Sequence, residues 1–152
     1  MATGDKTQRF SQGIGKVLLI SPFEADHRDL REILRHSDWR QHDACTRKEA
    51  FDFLKDNPAP LVICESELPD GTWEDVLSHI ALLEHPPALV VTSRLADEAL
   101  WSEVLHLGGY NVLAKPLDGN EVMHVVSHAC RLWNSRHPEY SRRKAIVNAE
   151  IL

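Results

Sequence analysis

The segment from Leu61 to Gly71 constrains the fold of this chain more than any other. It begins with a short, wholly apolar run, Leu61-Val-Ile-Cys64, which is typical of a buried strand. The run brings the acidic Glu65 to its C-terminal end, and Pro69-Asp70-Gly71 then supplies the backbone angles of a tight turn. Function in open α/β sheets gathers where the strands end, so Glu65 occupies a position typical of a reactive group.

Strand patterns and amphipathic helix patterns alternate along the rest of the chain. The predicted strands span Val17–Ile20, Trp39–Cys45, Leu61–Cys64, Ala88–Val91 and Asn111–Ala114. The predicted helices span Glu24–His36, Thr46–Asn57, Thr72–Glu84, Asp97–Leu107 and Asp118–Trp133. This (βα)5 order predicts an α/β fold, with a doubly wound, parallel, five-stranded sheet covered by helices on both faces.

Length and charge narrow the class of protein. With 152 residues the chain is one domain in size: we expect a flexible arm over 1–15, a folded domain over 16–133 and a tail over 134–152. The net charge of −6 argues against a nucleic-acid surface, and no apolar run approaches the roughly 20 residues of a membrane span. We therefore expect a cytoplasmic protein that binds neither nucleic acid nor membrane.

The cysteines and histidines do not predict a metal site. The three cysteines, Cys45, Cys64 and Cys130, are odd in number and widely spaced. Among nine histidines, His124 and His128 are four residues apart and could face one another on a helix. We interpret them as surface residues and expect no bound metal or cofactor.

Three groups of residues at strand ends resemble those of response-regulator receiver domains, the phosphoacceptor modules of two-component signalling. Leu68-Pro69-Asp70-Gly71 follows the third predicted strand, Thr92-Ser93 ends the fourth, and Lys115-Pro116 ends the fifth. Gly108 lies seven residues before Lys115, as in that family. The resemblance covers about 16–133 and implies the flavodoxin-like receiver fold, with a cis-like bond between Lys115 and Pro116.

The departures from the receiver pattern are as informative as the matches. Where the family has its phosphoacceptor aspartate, this chain has Glu65, and the acidic pair that helps to hold magnesium falls on Ser21 and Pro22. Magnesium requires hard oxygen ligands in a near-octahedral set, which a serine hydroxyl and a proline ring cannot supply in place of two carboxylates. Glu24 and Asp26 lie nearby, and we expect them to be solvated acids at the start of the first helix.

The surface implied by the resemblance is also altered. The position of the aromatic switch, three residues before Lys115, falls on Val112. Tyr110 is two residues out of register and is expected to pack at a helix–strand junction. Trp101 lies on the fourth predicted helix, which in receivers forms the usual partner surface with the fifth strand and fifth helix. Trp101 and Tyr110 are therefore the candidate partner residues.

Two hypotheses remain open for Thr92 and Lys115. In the first, Lys115 pairs with Glu65, and the longer acid imitates a phosphorylated aspartate. In the second, these residues are inert remnants that only support the fold. A glutamate carries one negative charge whereas a phosphoryl group carries nearly two, so any imitation would be partial.

The sequence thus predicts a non-catalytic, stand-alone, receiver-like module that acts by protein–protein interaction. About 19 residues follow Trp133, too few for a DNA-binding output unit. The expected partner is a signalling protein, such as a histidine kinase or another regulator, or a second copy of the chain. One alternative is an atypical phosphoacceptor that uses Glu65 or Asp70. Another is a small-ligand-binding or enzymatic domain on the same fold.

Overall fold

The computed structural model of the chain describes residues 15–138. The predicted arm over 1–15 therefore lies outside the described residues apart from residue 15, and the predicted tail over 134–152 lies outside them from residue 139 onward. No helix within 15–138 is long and apolar enough to cross a membrane.

Seven strands and five helices make up the described part of the chain. The strands are β1 (Lys16–Ile20), β2 (Arg40–Ala44), β3 (Leu61–Glu65), β4 (Glu67–Leu68), β5 (Gly71–Thr72), β6 (Ala88–Ser93) and β7 (Asn111–Ala114). The helices are α1 (Glu24–Leu34), α2 (Arg47–Asp56), α3 (Trp73–Ile80), α4 (Glu98–His106) and α5 (Gly119–Arg136).

Five of the strands form one parallel sheet in the order β2-β1-β3-β6-β7, which confirms the predicted (βα)5 fold. All four pairings in this sheet are parallel. The central strand β3 is buried along its whole length, from Leu61 to Glu65, which explains its continuous apolar run. The two remaining strands, β4 and β5, are two residues each and form a small antiparallel pair that the sequence did not predict.

The core has two layers because successive strand residues point to opposite faces of the sheet. On one face, Val62 and Cys64 of β3 pack with Leu54 of α2 and Val76 of α3. On the other face, the alternate strand residues pack against α1 and α5. The buried residues of that second layer include Leu19, Leu30, Ile63, Val90, Leu113, Val122 and Val126. Trp73 and Trp133 are also buried.

Side-chain caps fix where most helices begin. The side chains of Thr46, Asp97 and Asp118 accept hydrogen bonds from backbone N–H groups in the first turns of α2, α4 and α5. At the end of α4, Gly108 has a φ of +106°, a conformation that favours glycine.

Two helices end three or more residues away from their predicted ends. α3 ends at Ile80, four residues earlier than expected, because Leu82 and Leu83 donate to carbonyls three residues back and tighten the chain into turns. The side chain of Leu82 is 87% exposed, so its apolar character does not extend the buried face. Conversely, α5 continues to Arg136, past its predicted end at Trp133.

The turn after β3 also stabilises α2, because Asp70 accepts hydrogen bonds from the backbone N–H groups of Arg47 (2.9 Å) and Lys48 (3.1 Å). Burial pushes the pKa of Asp70 upward, but these N–H donors and the charge of Arg47 hold it below its ordinary value. Asp70 is thus a helix cap, a role that the sequence analysis did not assign to it.

We expect Asp70→Ala to lower the free energy of unfolding by about 1 kcal/mol at neutral pH, because two N–H groups of α2 lose their acceptor. A lowered folded-state pKa means that the carboxylate contributes stability at neutral pH and loses it as the pH falls through the carboxyl range. The difference from wild type should therefore narrow below about pH 4. Urea denaturation at several pH values measures this, with Asp70→Asn as the matched control that keeps an acceptor. A constant difference down to acid pH would contradict the charged cap.

Candidate functional site

The ends of β1, β3, β6 and β7 bring four of the predicted residues together at the carboxyl edge of the sheet. Ser21 follows β1, Glu65 and Thr92 lie at the ends of β3 and β6, and Lys115 follows β7. Glu65 and Thr92 are register partners in the β3–β6 pairing. The fold therefore builds one site from four separate strand–helix junctions.

Lys115 is the centre of this site. Its Nζ lies 2.7 Å from Oε2 of Glu65 and 2.9 Å from Oδ2 of Asp26. The three side chains are only 8%, 9% and 11% exposed, respectively, so these ion pairs are well shielded from water. The hydroxyl of Thr92 also donates to Oε2 of Glu65, at 3.2 Å. The predicted contact of Lys115 with Glu65 is therefore present in the structure. The bond from Lys115 to Pro116 is cis.

Asp26 was wrongly expected to be a solvated acid. It is buried, and its Oδ2 accepts from Lys115 and also from the hydroxyl of Ser21, at 2.6 Å. A sequence signal for this existed: Asp26 precedes the buried Leu30 and Leu34 by four and eight residues, and this spacing places all three on one helix face. The helix dipole favours an acid in the first turn of α1, but it does not determine the direction in which the side chain of Asp26 points.

Ser21 is fully buried and forms a hydrogen-bond junction. Its hydroxyl donates to Asp26 and accepts from the backbone N–H of Phe23, at 3.1 Å. The half-exposed ring of Phe23 lies over the ammonium of Lys115, 4.9 Å from Nζ to the ring centroid. The hydroxyl of Ser21 thus orients Asp26, which contacts Lys115.

A second polar network adjoins the first. Nδ1 of His27 lies 2.7 Å from Oδ1 of Asp43, and Nε2 lies 2.8 Å from the carbonyl oxygen of Ser21. Arg31 binds the other carboxylate oxygen of Asp43 at 2.5 Å. Burial pushes the pKa of Asp43 upward, but hydrogen bonds from Gln41 and His27 and the nearby positive charges hold it below its usual range. The sequence analysis did not identify this network.

Within 15–138 no group of three or more His, Cys, Asp or Glu side chains is arranged to hold a metal ion. His124 and His128 do face one another on α5, with ring centroids 4.2 Å apart, as their spacing predicted. Burial raises the pKa of the Cys64 thiol, and the negative charge of Glu65 raises it further. Because only the thiolate is a strong nucleophile, Cys64 acts as a small core residue.

The other predicted residues lie around the site or away from it. Ser93 is buried, and its hydroxyl accepts from the N–H of Leu95 at 3.1 Å. Val112 is a buried core residue of β7. Tyr110 is half-buried and packs against the second core layer, whereas Trp101 on α4 is 50% exposed. Of the two candidate partner residues, Trp101 presents the larger accessible ring.

A groove of about 350 Å³ opens beside the site. Its lining combines charged and apolar side chains, namely Ala25, Asp26, Asp29, Arg94, Lys115, Pro116 and Leu117. Lys115 and Asp26, which line this groove, already contact one another. The polar groups that converge on the groove are therefore in part paired.

We expect Lys115→Met to lower the free energy of unfolding by about 3 kcal/mol, because it leaves two buried carboxylates without a cation. Glu65→Gln should cost less, about 1 kcal/mol, since Asp26 still balances the ammonium. The double variant should lose less than the sum of the two single losses, because the residues interact directly.

Urea denaturation of the single and double variants measures this coupling. Lys55→Met is the matched control, because Lys55 pairs with Asp52 on the surface, where both side chains are more than half exposed. That control should change the free energy of unfolding by less than about 0.5 kcal/mol. Strictly additive losses for Lys115 and Glu65 would show that the two residues do not stabilise one another.

No family model matches the sequence. The chain is 32% identical over 124 residues to the response regulator protein PilR of Pseudomonas aeruginosa, which covers 80% of this chain. The chain spans only 27% of the length of PilR.

Solved structures of receiver domains have the same fold. The receiver domain of an HD domain-containing protein from Pseudomonas fluorescens matches with a TM-score of 0.74 and 22% identity, over 81% of this chain and 91% of that one. The beryllofluoride-activated NtrC4 receiver domain dimer matches with a TM-score of 0.73 and 20% identity, over 78% and 98% of the two chains. The chain described here therefore has the receiver fold of response regulators.

Proposed function

We propose that this chain is a receiver-like signalling module that acts by binding another protein, without catalysis and without a phosphorylation cycle. The observation that carries the proposal is the position of the Lys115 ammonium between the carboxylates of Glu65 and Asp26. The ammonium of Lys115 thus already neutralises the carboxylate at the end of β3.

The side chains at the acidic-pair positions support the absence of a metal-dependent reaction. The hydroxyl of Ser21 already bonds to Asp26 and to the N–H of Phe23, and Pro22 carries no side-chain oxygen. Phosphoryl transfer depends on positioning and on neutralising the charge of the transferred group, and metal ions do much of that neutralising. With a lysine as its cation, the site has no equivalent of the magnesium ligands.

The contacts of Glu65 also favour a single, permanent arrangement of the side chains at the site. Its Oε2 accepts from both Thr92 and Lys115, so these two side chains are held without any covalent modification. Val112, at the position of the aromatic switch, is a small buried residue and provides no ring that could move. We therefore propose constitutive engagement of Thr92 and Lys115 as the signalling state of the module.

The proposed partner is a signalling protein, such as a histidine kinase or another regulator. Trp101 on α4 is the proposed anchor, because a half-exposed tryptophan can bury a large area in an interface at little entropic cost. A second copy of the chain is the alternative partner, and the receiver domain of NtrC4, which is similar in fold, has been solved as a dimer.

We expect no phosphoryl transfer from acetyl phosphate to this protein, with or without magnesium. The reason is that Ser21 and Pro22 supply no metal ligands and Lys115 is already paired. Intact-mass spectrometry after incubation measures it. A stable, magnesium-dependent phosphoryl adduct on Glu65 or Asp70 would overturn the proposed function in favour of an atypical phosphoacceptor.

Variants that restore the residues of the family pattern test which departure prevents phosphorylation. Glu65→Asp alone should remain unmodified, since both acidic-pair positions still lack carboxylates. The triple variant Ser21→Asp, Pro22→Asp, Glu65→Asp should gain a magnesium-dependent adduct. Phosphorylation of the single variant would show that the glutamate, and not the missing metal ligands, is the obstacle.

We expect Trp101→Ala to change the stability little and to weaken the affinity for the captured partner by about thirtyfold, because an anchor in an interface can contribute about 2 kcal/mol. Leu82→Ala is the matched control, since Leu82 is a large exposed apolar residue outside α4. Quantitative affinity pull-down measures both variants. Equal capture by the wild type and Trp101→Ala would remove Trp101 from the partner surface.

A further inference from the structure

His27 is a buried histidine with a polar partner at each of its two ring nitrogens. It lies in α1 directly after Asp26, and its side chain is only 8% exposed. Its two ring nitrogens contact the ends of two different strands. Nε2 lies 2.8 Å from the carbonyl oxygen of Ser21, after β1, and Nδ1 lies 2.7 Å from Oδ1 of Asp43 on β2. Both distances are those of short hydrogen bonds.

Both partners of the ring are acceptors. The backbone carbonyl of Ser21 has no proton to donate, and the lowered pKa of Asp43 keeps that carboxyl ionised. The Asp43 carboxylate also accepts from Gln41 and Arg31. A neutral imidazole carries one N–H and can donate to only one of two acceptors, whereas an imidazolium donates to both. His27 can therefore form both hydrogen bonds only when both of its ring nitrogens are protonated.

We propose that His27 is a doubly protonated positioning residue, which ties the start of α1 to the ends of β1 and β2 and thereby places Asp26 beside Lys115. This inference rests on the proposed function, because it assigns His27 a role in the same ion network. Ser21 links the two networks: its carbonyl oxygen accepts from His27 while its hydroxyl donates to Asp26. A shift of the ring away from Ser21 would loosen both contacts.

The charged groups around His27 are consistent with a cationic ring. From β2 the ring faces Asp43, and from β1 it faces an uncharged carbonyl group. Arg31 of α1 is a second cation, but it binds the opposite oxygen of Asp43. Lys115 contacts Asp26, the neighbour of His27 in sequence. His27 thus contacts one carboxylate oxygen of Asp43 and Arg31 contacts the other, so the three side chains form one polar network.

The ring nitrogens report their protonation directly in a long-range ¹H–¹⁵N spectrum of the full chain. At neutral pH we expect both nitrogens of His27 at the shift of protonated imidazolium nitrogens. His27→Gln assigns the signals by deletion. A single protonated nitrogen on His27 at neutral pH would overturn the proposal, whatever the phosphorylation experiments show.

Positioning is tested on the Lys115 ammonium itself. In His27→Gln we expect the Lys115 Nζ signal to shift and its protons to exchange with water at least several-fold faster than in the wild type. The exposed-site control His128→Gln should leave both unchanged. An unchanged Lys115 signal in a folded His27→Gln protein would reduce His27 to a packing residue.

Neither readout involves phosphoryl transfer, so these results and the proposed function can fail separately.

Discussion

The ammonium of Lys115, placed between the carboxylates of Glu65 and Asp26, is the interaction on which the rest of the site depends. Each of these charges is expensive to bury alone, and together they become tolerable because hydroxyl donors complete the network. Thr92 donates to Glu65 and Ser21 donates to Asp26. The contacts join β1, β3, β6, α1 and the segment after β7, so one buried cation holds together the edge of the sheet where receiver domains carry their chemistry.

The residue that follows β1 connects this network to α1 and β2. The hydroxyl of Ser21 bonds to Asp26. The carbonyl oxygen of Ser21 contacts His27, whose ring also contacts Asp43 on the edge strand. Ser21 thus links the ion pairs of Lys115 to the polar contacts of His27.

The resemblance to receiver domains indicated the contact of Lys115 with Glu65, because strand ends in a parallel sheet meet at one edge. The sequence itself predicted the fold through its (βα)5 pattern. It could not predict how the helices present their polar residues to that edge. Asp26 was misjudged because the helix dipole accounts for its position at the start of α1, while its orientation depends on the register with Leu30 and Leu34. The short pair of β4 and β5 was missed, since strands of two residues have no periodicity. The end of α3 was misplaced because Leu82 and Leu83 look like a continued apolar face.

We propose that the site of this receiver fold has a single arrangement, which neither a phosphoryl group nor a metal ion alters. Beryllofluoride imitates a phosphoryl group, so it tests this proposal without a phosphodonor. The most direct measurement is the ¹H–¹⁵N backbone spectrum of the wild type before and after the addition of magnesium and beryllofluoride. We expect superimposable spectra. Saturable, magnesium-dependent shifts centred on Glu65, Thr92 and Lys115 would contradict it.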